Sequence, residues 1–397
     1  MLDLFSSAVL HHAPGAPRAG AAARSVLTEQ DFAEACAEIM AWEGYAATPL
    51  VSLAGLARQI GVGRVDYKHE GPRFGLGSFK ALGGAYAAMR VLQVELSAQL
   101  GQRVSLADIR NGKHAEACAQ VTLVSATDGN HGRSLAWGCQ RVGAPCRIYI
   151  HAEVSEGRAA AMRDLGAEVI RIEGDYDDSV LLAKTEAEAN GWHVVSDTSW
   201  EGYTEPPRNV MAGYGVMTRE ICERLEHPPT HVFLQGGVGG LAASVAAGLR
   251  QFYGADAPRV VIVEPELAAC LFESARNGTA TNVAIEAETI MAGLSCGEPS
   301  GMAWEILSEE AADFVTIPDA IVAPTVRLLA KAETGDALVE AGESAVAGLA
   351  ALIAARLDPD LSAKLGLDET SRALLIGSEG VTDPVIFEAI MRGADHL

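Results

Sequence analysis

The chain has 397 residues, enough for two domains or one large α/β body with an inserted lobe, and its 49% hydrophobic content supplies ample material for buried strands. A formal net charge of −22 without any concentrated basic patch argues against nucleic acid or an anionic membrane as a partner, because both repel such a surface. Seven cysteines, an odd number with no CxxC spacing, indicate a reduced cytoplasmic protein and suggest no metal site, and the longest apolar runs fall short of a membrane span.

Residues 1–24 lack a hydrophobic core for secretion. Their Arg and Ala bias leaves a transit peptide as the alternative to a frayed, surface-draped extension. From Thr28 to about Trp42 an amphipathic helix opens on a Thr28/Asp31 capping pair, and Pro49 begins the next turn. Val65–Glu70 reads as a short strand, followed by a glycine-rich loop and a long helix from Ser78 to about Leu100. After a second capping pattern at Ser105/Asp108, strands near 121–125, 146–150, 168–172 and 193–196 alternate with helices from Gly129, Ser155 and about Asp177. Short apolar runs separated by helical patterns are the signature of βαβ units and a parallel sheet. A second set follows, with strands at 231–235, 260–263 and near Phe314 and Ala373, and helices from Gly239 and near Leu267. The aromatic-, Gly- and Pro-rich stretch Asp197–Pro207 reads as the crossing between lobes. The expected fold is therefore α/β, with a large domain of residues 1–86 and 197–397 and a small one of residues 87–196.

Three stretches carry chemistry. In GLGSFKALGG, Gly75–Gly84, Ser78 suits an N-cap and Lys80 falls in the first helical turn, where the positive end of the helix dipole disfavours a cation. An ammonium so disfavoured, and buried, loses its proton more easily and can attack a carbonyl to form an imine. A solvated helix lysine is the competing reading. Gly236–Gly240 lies where a strand hands over to a helix, so backbone amides of Gly236, Gly237, Val238, Gly239 and Gly240 can cradle a phosphate. Gly237, Gly239 and Ala242, with Glu264 ending the next strand, also satisfy a dinucleotide fingerprint, so an NAD-dependent Rossmann dehydrogenase is the rival class. Thr127, at a third strand-to-helix turn, is placed to hold a substrate carboxylate, and His131 reads first as a packed or capping histidine.

Six segments in order, RFGLGSFKALGGAYA, SATDGNHGR, DTSWEGY, GGVGGLAA, TIMAGLSCGEPS and GSEGVTDP, resemble the fold-type II pyridoxal-phosphate enzymes, the group of serine and threonine dehydratases and the tryptophan synthase β chain. Within that group the likeness is greatest to the diaminopropionate ammonia-lyases. The resemblance implies two lobes, each a mainly parallel twisted sheet flanked by helices, and a homodimer. It also implies pyridoxal 5'-phosphate bound through Lys80 as a Schiff base, and a small amino acid as substrate. It makes Asn130 the partner of the cofactor's phenolic oxygen and Ser378 that of its pyridine nitrogen, and adds Ser78 to the substrate site.

Asp128 departs from the dehydratase pattern, which has a small residue there. A carboxylate at that point can pair with a second ammonium or take a proton from the face of Cα opposite the lysine, and so favours a diamino over a hydroxy substrate. Asp197 is similar in place to a second acid of the ammonia-lyases. The expected reaction is α,β-elimination of 2,3-diaminopropionate to pyruvate and ammonia, with Lys80, Asp128 and Asp197 catalytic. A dehydratase of a β-hydroxy amino acid is the nearer alternative. Cys270 and Cys296 flank segments expected near the site's mouth and are expected to pair under oxidising conditions.

Overall fold

The computed structural model describes residues 3–17, 20–127 and 129–394. It divides into two compact units, one of residues 1–29, 47–78 and 217–397 and the other of residues 30–46 and 79–216. Among the described residues the strands are β1 (His11–Pro14), β2 (Leu50–Ser52), β3 (Arg64–His69), β4 (Leu123–Ala126), β5 (Cys146–Ile150), β6 (Glu168–Arg171), β7 (His193–Val194), β8 (His231–Gln235), β9 (Arg259–Pro265), β10 (Ala311–Ile317) and β11 (Arg372–Gly377).

In the first unit seven strands run in the order β1-β10-β9-β8-β11-β3-β2. The five inner strands are parallel, while β1 and β2 close the two edges antiparallel. The inner strands read as near-continuous apolar runs because both faces are covered. Helix Ala347–Leu357, AGLAALIAARL, is apolar all round and buried along almost its whole length in the same core as Phe233, Val261 and Leu375. In the second unit β6-β5-β4-β7 form an all-parallel sheet, backed by Ala183 and Ala187 of helix Tyr176–Asn190 against Val124 and Tyr149. The α/β class with parallel sheets in two units is thus the observed architecture.

The N-terminal segment corrects one expectation. Residues 11–14 are not a frayed extension but pair with β10 from His11↔Thr316 to Pro14↔Asp313, and Phe5, Ala22 and Ala23 are buried. Covering the open edge of β10 gives its unpaired amides and carbonyls partners, which no property of the HHAP sequence announces. Among the described residues, no helix is long and apolar enough to cross a membrane.

Candidate active site

The segment leading to Lys80 is a sharp turn built from three left-handed residues, Phe74 (φ 51°), Gly75 (71°) and Gly77 (81°). Phe74 is the costly one, since a non-glycine residue in that region forfeits about 1–2 kcal/mol. The turn is anchored by its neighbour Arg73, buried with Lys68, Glu70, Glu220 and Thr48 in one ionic cluster of the first unit. The Arg73 guanidinium donates to both Glu70 oxygens at 2.8 Å, to both Glu220 oxygens at 2.8 Å and to Thr48 Oγ at 3.1 Å. Lys68 Nζ donates to Thr48 O at 2.9 Å and pairs with Glu220. Two cations meet two carboxylates, so the cluster is neutral and its polar atoms are used internally.

Beyond the turn, Phe79 and not Ser78 is the N-cap, and helix Lys80–Leu100 starts at the lysine itself. The expected Ser78 cap fails because Ser78 is drawn into an isolated antiparallel bridge with Glu379, reinforced by the Gly380 amide donating to Gly77 O at 2.9 Å. Ser78 is buried.

In the second unit Lys80 Nζ donates to Asp197 Oδ2. The ammonium thus has a carboxylate counter-ion, whereas the sequence reading set it at the positive end of a helix dipole. Burial disfavours the Asp197 carboxylate, but the Lys80 charge beside it outweighs that and holds the carboxyl well below its ordinary range. His131 is buried, its Nε2 donating to Val195 O at 2.9 Å, which leaves Nδ1 as the lone-pair nitrogen, 3.9 Å from Asp197 Oδ2. Burial pushes the imidazole's pKa down, so it stands here as a neutral ring. It is both packed, as expected, and a neighbour of the acid.

Thr127 and Asn130 belong to the same unit, at the turn after β4. Thr127 is buried, its amide donating to Tyr149 O at 3.1 Å and its hydroxyl accepting from Gly129 N at 3.3 Å. Asn130 opens helix Asn130–Val142. Asp128 lies outside the described residues. Sequence reasoning passed over Tyr214, a buried phenol whose ring centroid stands 4.6 Å from that of Phe79.

The first unit gathers the remaining candidates. At the end of β8, Gly237 (φ 62°) and Gly239 (φ 95°) turn the chain into helix Gly240–Tyr253. A Cβ at Gly237 would sit in ordinary contact with Gly293 O at 3.5 Å and with Cys296 Sγ and Leu294 Cα at 3.7 Å, so the bare backbone there lies against the 293–296 segment. The first-turn amides of the following helix have no intrahelical acceptor. Ser378 is buried after β11, its Oγ 3.3 Å from Gln235 Nε2, which also donates to Ile376 O at 2.5 Å; Gln235 Oε1 has no partner among the described residues. Within the first unit these features fit the phosphate and ring of pyridoxal phosphate: a glycine turn and helix N-terminus for the dianion and a buried hydroxyl for a ring nitrogen.

They fit a dinucleotide poorly, because Glu264 is already engaged. Its oxygens accept from the amides of Leu271 at 3.0 Å and Phe272 at 2.7 Å, capping helix Cys270–Asn277, and its Cγ would lie 2.4 Å from a Cβ at Gly236. Burial pushes the Glu264 carboxyl up to about 8. Cys270, buried, and Cys296 are not joined by a disulfide. Among the described residues no cluster of three or more His, Cys, Asp or Glu is placed to hold a metal ion.

Two parallel-sheet units, a lysine at a helix start and a glycine turn after a strand are the arrangement of a fold-type II pyridoxal-phosphate enzyme. The chain belongs to the pyridoxal-phosphate dependent enzyme family, which it matches over residues 41–372. It is 37% identical over 359 residues to the diaminopropionate ammonia-lyase of Escherichia coli strain K12, a match covering 89% of each chain. The Escherichia coli diaminopropionate ammonia-lyase solved in complex with D-serine superposes with a TM-score of 0.88 at 34% identity, over 98% of both chains. The same enzyme solved with an aminoacrylate–pyridoxal-phosphate azomethine reaction intermediate gives a TM-score of 0.87 at 34% identity, again over 98% of both chains.

Proposed function

We propose that this protein eliminates ammonia from 2,3-diaminopropionate: diaminopropionate and water give pyruvate and two molecules of ammonia. The observation that carries the reading is the amine of Lys80 beside the ionised Asp197 at the start of a helix, in a chain so similar to ammonia-lyases of that substrate. Bound pyridoxal phosphate supplies an electron sink for charge developing at Cα. Lys80 would hold the cofactor by its aldehyde, and as a free base the same amine takes the substrate's Cα proton. The β-amino group leaves as ammonia.

Around these steps the other residues bind and orient. Gly236, Gly237, Val238, Gly239 and Gly240 hold the phosphate without any side-chain charge, Asn130 the phenolic oxygen, and Ser378 the ring nitrogen. A neutral hydroxyl keeps that nitrogen less protonated than a carboxylate would, which suits elimination of a good leaving group. Thr127 and Ser78 take the substrate carboxylate, Asp197 steadies the protonated lysine, and Asp128 pairs with the second ammonium or acts as base for the D-isomer. The reading includes a cytoplasmic homodimer.

The test is incubation of the cofactor-loaded protein with L- and D-diaminopropionate, serine, threonine and hydroxyaspartate while pyruvate and ammonia are measured. Fast release of both from diaminopropionate is expected. Preference for a hydroxy amino acid would assign the protein to the dehydratases instead.

A further inference from the structure

We propose that the hydroxyl of Tyr214 positions the reacting nitrogen of Lys80, as the hydrogen-bond partner that nitrogen takes up when it parts from Asp197. The inference rests on the role given to Lys80 above and adds a residue to it.

Tyr214 is held at the lysine by a backbone-to-backbone contact between two helices. A Cβ at Gly213, on helix Glu205–Arg224, would lie 2.6 Å from Leu82 O and 3.0 Å from Gly83 Cα of the lysine helix. A Cβ at Gly83 would in turn meet Tyr214 Cε1 at 2.5 Å and Val210 O at 2.8 Å. Gly83 is three residues after Lys80 and so shares its helix face. The phenol ring therefore stands against the face that carries the lysine. Phe79 is a neighbour common to both, its ring centroid 4.6 Å from that of Tyr214 and 5.9 Å from Lys80 Nζ.

Packing explains the ring but not the oxygen. Tyr214 is 2% exposed, yet its Oη has no hydrogen-bond partner among the described residues. Such an orphan destabilises the fold, and phenylalanine would fill the same space without it. The charged groups that act on it in this unit are Lys80 and Asp197, and His131 stands beside Asp197. His131 cannot replace it as a donor, because its one ring N–H is committed to Val195 O. Burial pushes the phenol's pKa up, so it remains an O–H group, able to donate and accept but neither base nor counter-ion.

Lys80 nitrogen needs such a partner. As an ammonium it pairs with Asp197; as a neutral amine it exposes a lone pair that a carboxylate cannot satisfy and a phenol O–H can. A fixed nitrogen is worth up to about a hundredfold in rate when a shift of about 1 Å spoils the approach to Cα.

The test is Tyr214→Phe, studied as the cofactor-loaded protein. We expect an unchanged or raised melting temperature and a shift of about half a pH unit or more in the midpoint of the cofactor's visible absorbance. Turnover should fall about ten- to a hundredfold at similar KM, with a larger isotope effect for α-deuterated substrate. An unmoved absorbance midpoint with unchanged turnover overturns the proposal. So does a variant less stable than the parent, because the hydroxyl would then serve the fold. The absorbance is read without substrate, so it decides on Tyr214 even if the parent protein proves inert towards diaminopropionate, a result that would overturn only the proposed reaction.

Discussion

Replacing Asp197 by Asn separates two jobs a carboxylate can do beside Lys80: fixing the amine and handling a proton. The substitution keeps size and one hydrogen bond and removes the charge. A hydrogen bond to a charged group contributes about 1.5–3 kcal/mol. The Lys80 and Asp197 side chains are 23% and 18% exposed, so solvent screening argues for the lower end. At about 1.4 kcal/mol per factor of ten, loss of fixing alone lowers turnover about tenfold. Loss of a proton-transfer group lowers it about a hundredfold to ten-thousandfold. Initial rates of pyruvate release from each isomer at saturating cofactor distinguish the two, and we expect the tenfold class on the L-isomer. Thermal melts supply a second readout. The folded carboxyl sits below its ordinary 3.8, so its contribution to stability is present above that pH and lost as pH falls through the folded value. The Asn variant should therefore show a shallower loss of melting temperature on acidification below about pH 4. Parental rates on both isomers together with a parental acid limb would refute the reasoning.

Lys80→Ala should abolish elimination while the protein still takes up pyridoxal phosphate non-covalently through the Gly236–Gly240 turn; equilibrium dialysis and a pyruvate assay check both halves. Asp128→Asn should lose D-diaminopropionate turnover by about a hundredfold to ten-thousandfold and L-turnover less, and equal small losses on the two isomers would remove the second base. Glu264, held at about 8 against an ordinary 4.5, contributes stability that is fully present below pH 4.5 and lost as pH rises through about 8. Glu264→Gln should accordingly flatten the alkaline fall in melting temperature between pH 5 and 9, while lowering the value at pH 5 because one of the Leu271 and Phe272 amides loses its acceptor.

The sequence was most informative where chemistry and burial are local. Strands β5 and β8 carry the bounds read from their apolar runs, because a strand buried on both faces announces itself by composition. The caps at Ser105 and Ser155 likewise need only their own side chains, which accept from Asp108 N at 3.0 Å and Arg158 N at 3.3 Å. Edge strands β1 and β2, three or four residues each, owe their existence to partners distant in sequence. Ser78 fails as a cap for the same reason. In the site, the pairing of Lys80 with Asp197 spans 117 positions and no spacing rule reaches that far. Tyr214 hides in an apolar helical pattern as one more core aromatic. A usable signal was present in its flanks, Gly213 and Gly215, since two glycines inside a helix cost about 1 kcal/mol each and point to close packing, here of Gly213 on the lysine helix's backbone and of Gly215 on the Phe32 ring.

The neutral cluster around Arg73 also bears on how this part of the chain can change. Removing one member of a buried set of charges strands another at a cost of about 3–5 kcal/mol, whereas exchanging the whole set for apolar residues of similar volume can be close to neutral. Thr48, Lys68, Glu70, Arg73 and Glu220 therefore form an island in sequence space. Single substitutions leading away from it pass through unstable proteins, and an engineer who wishes to redesign the lysine turn must move all five positions together or leave them all in place.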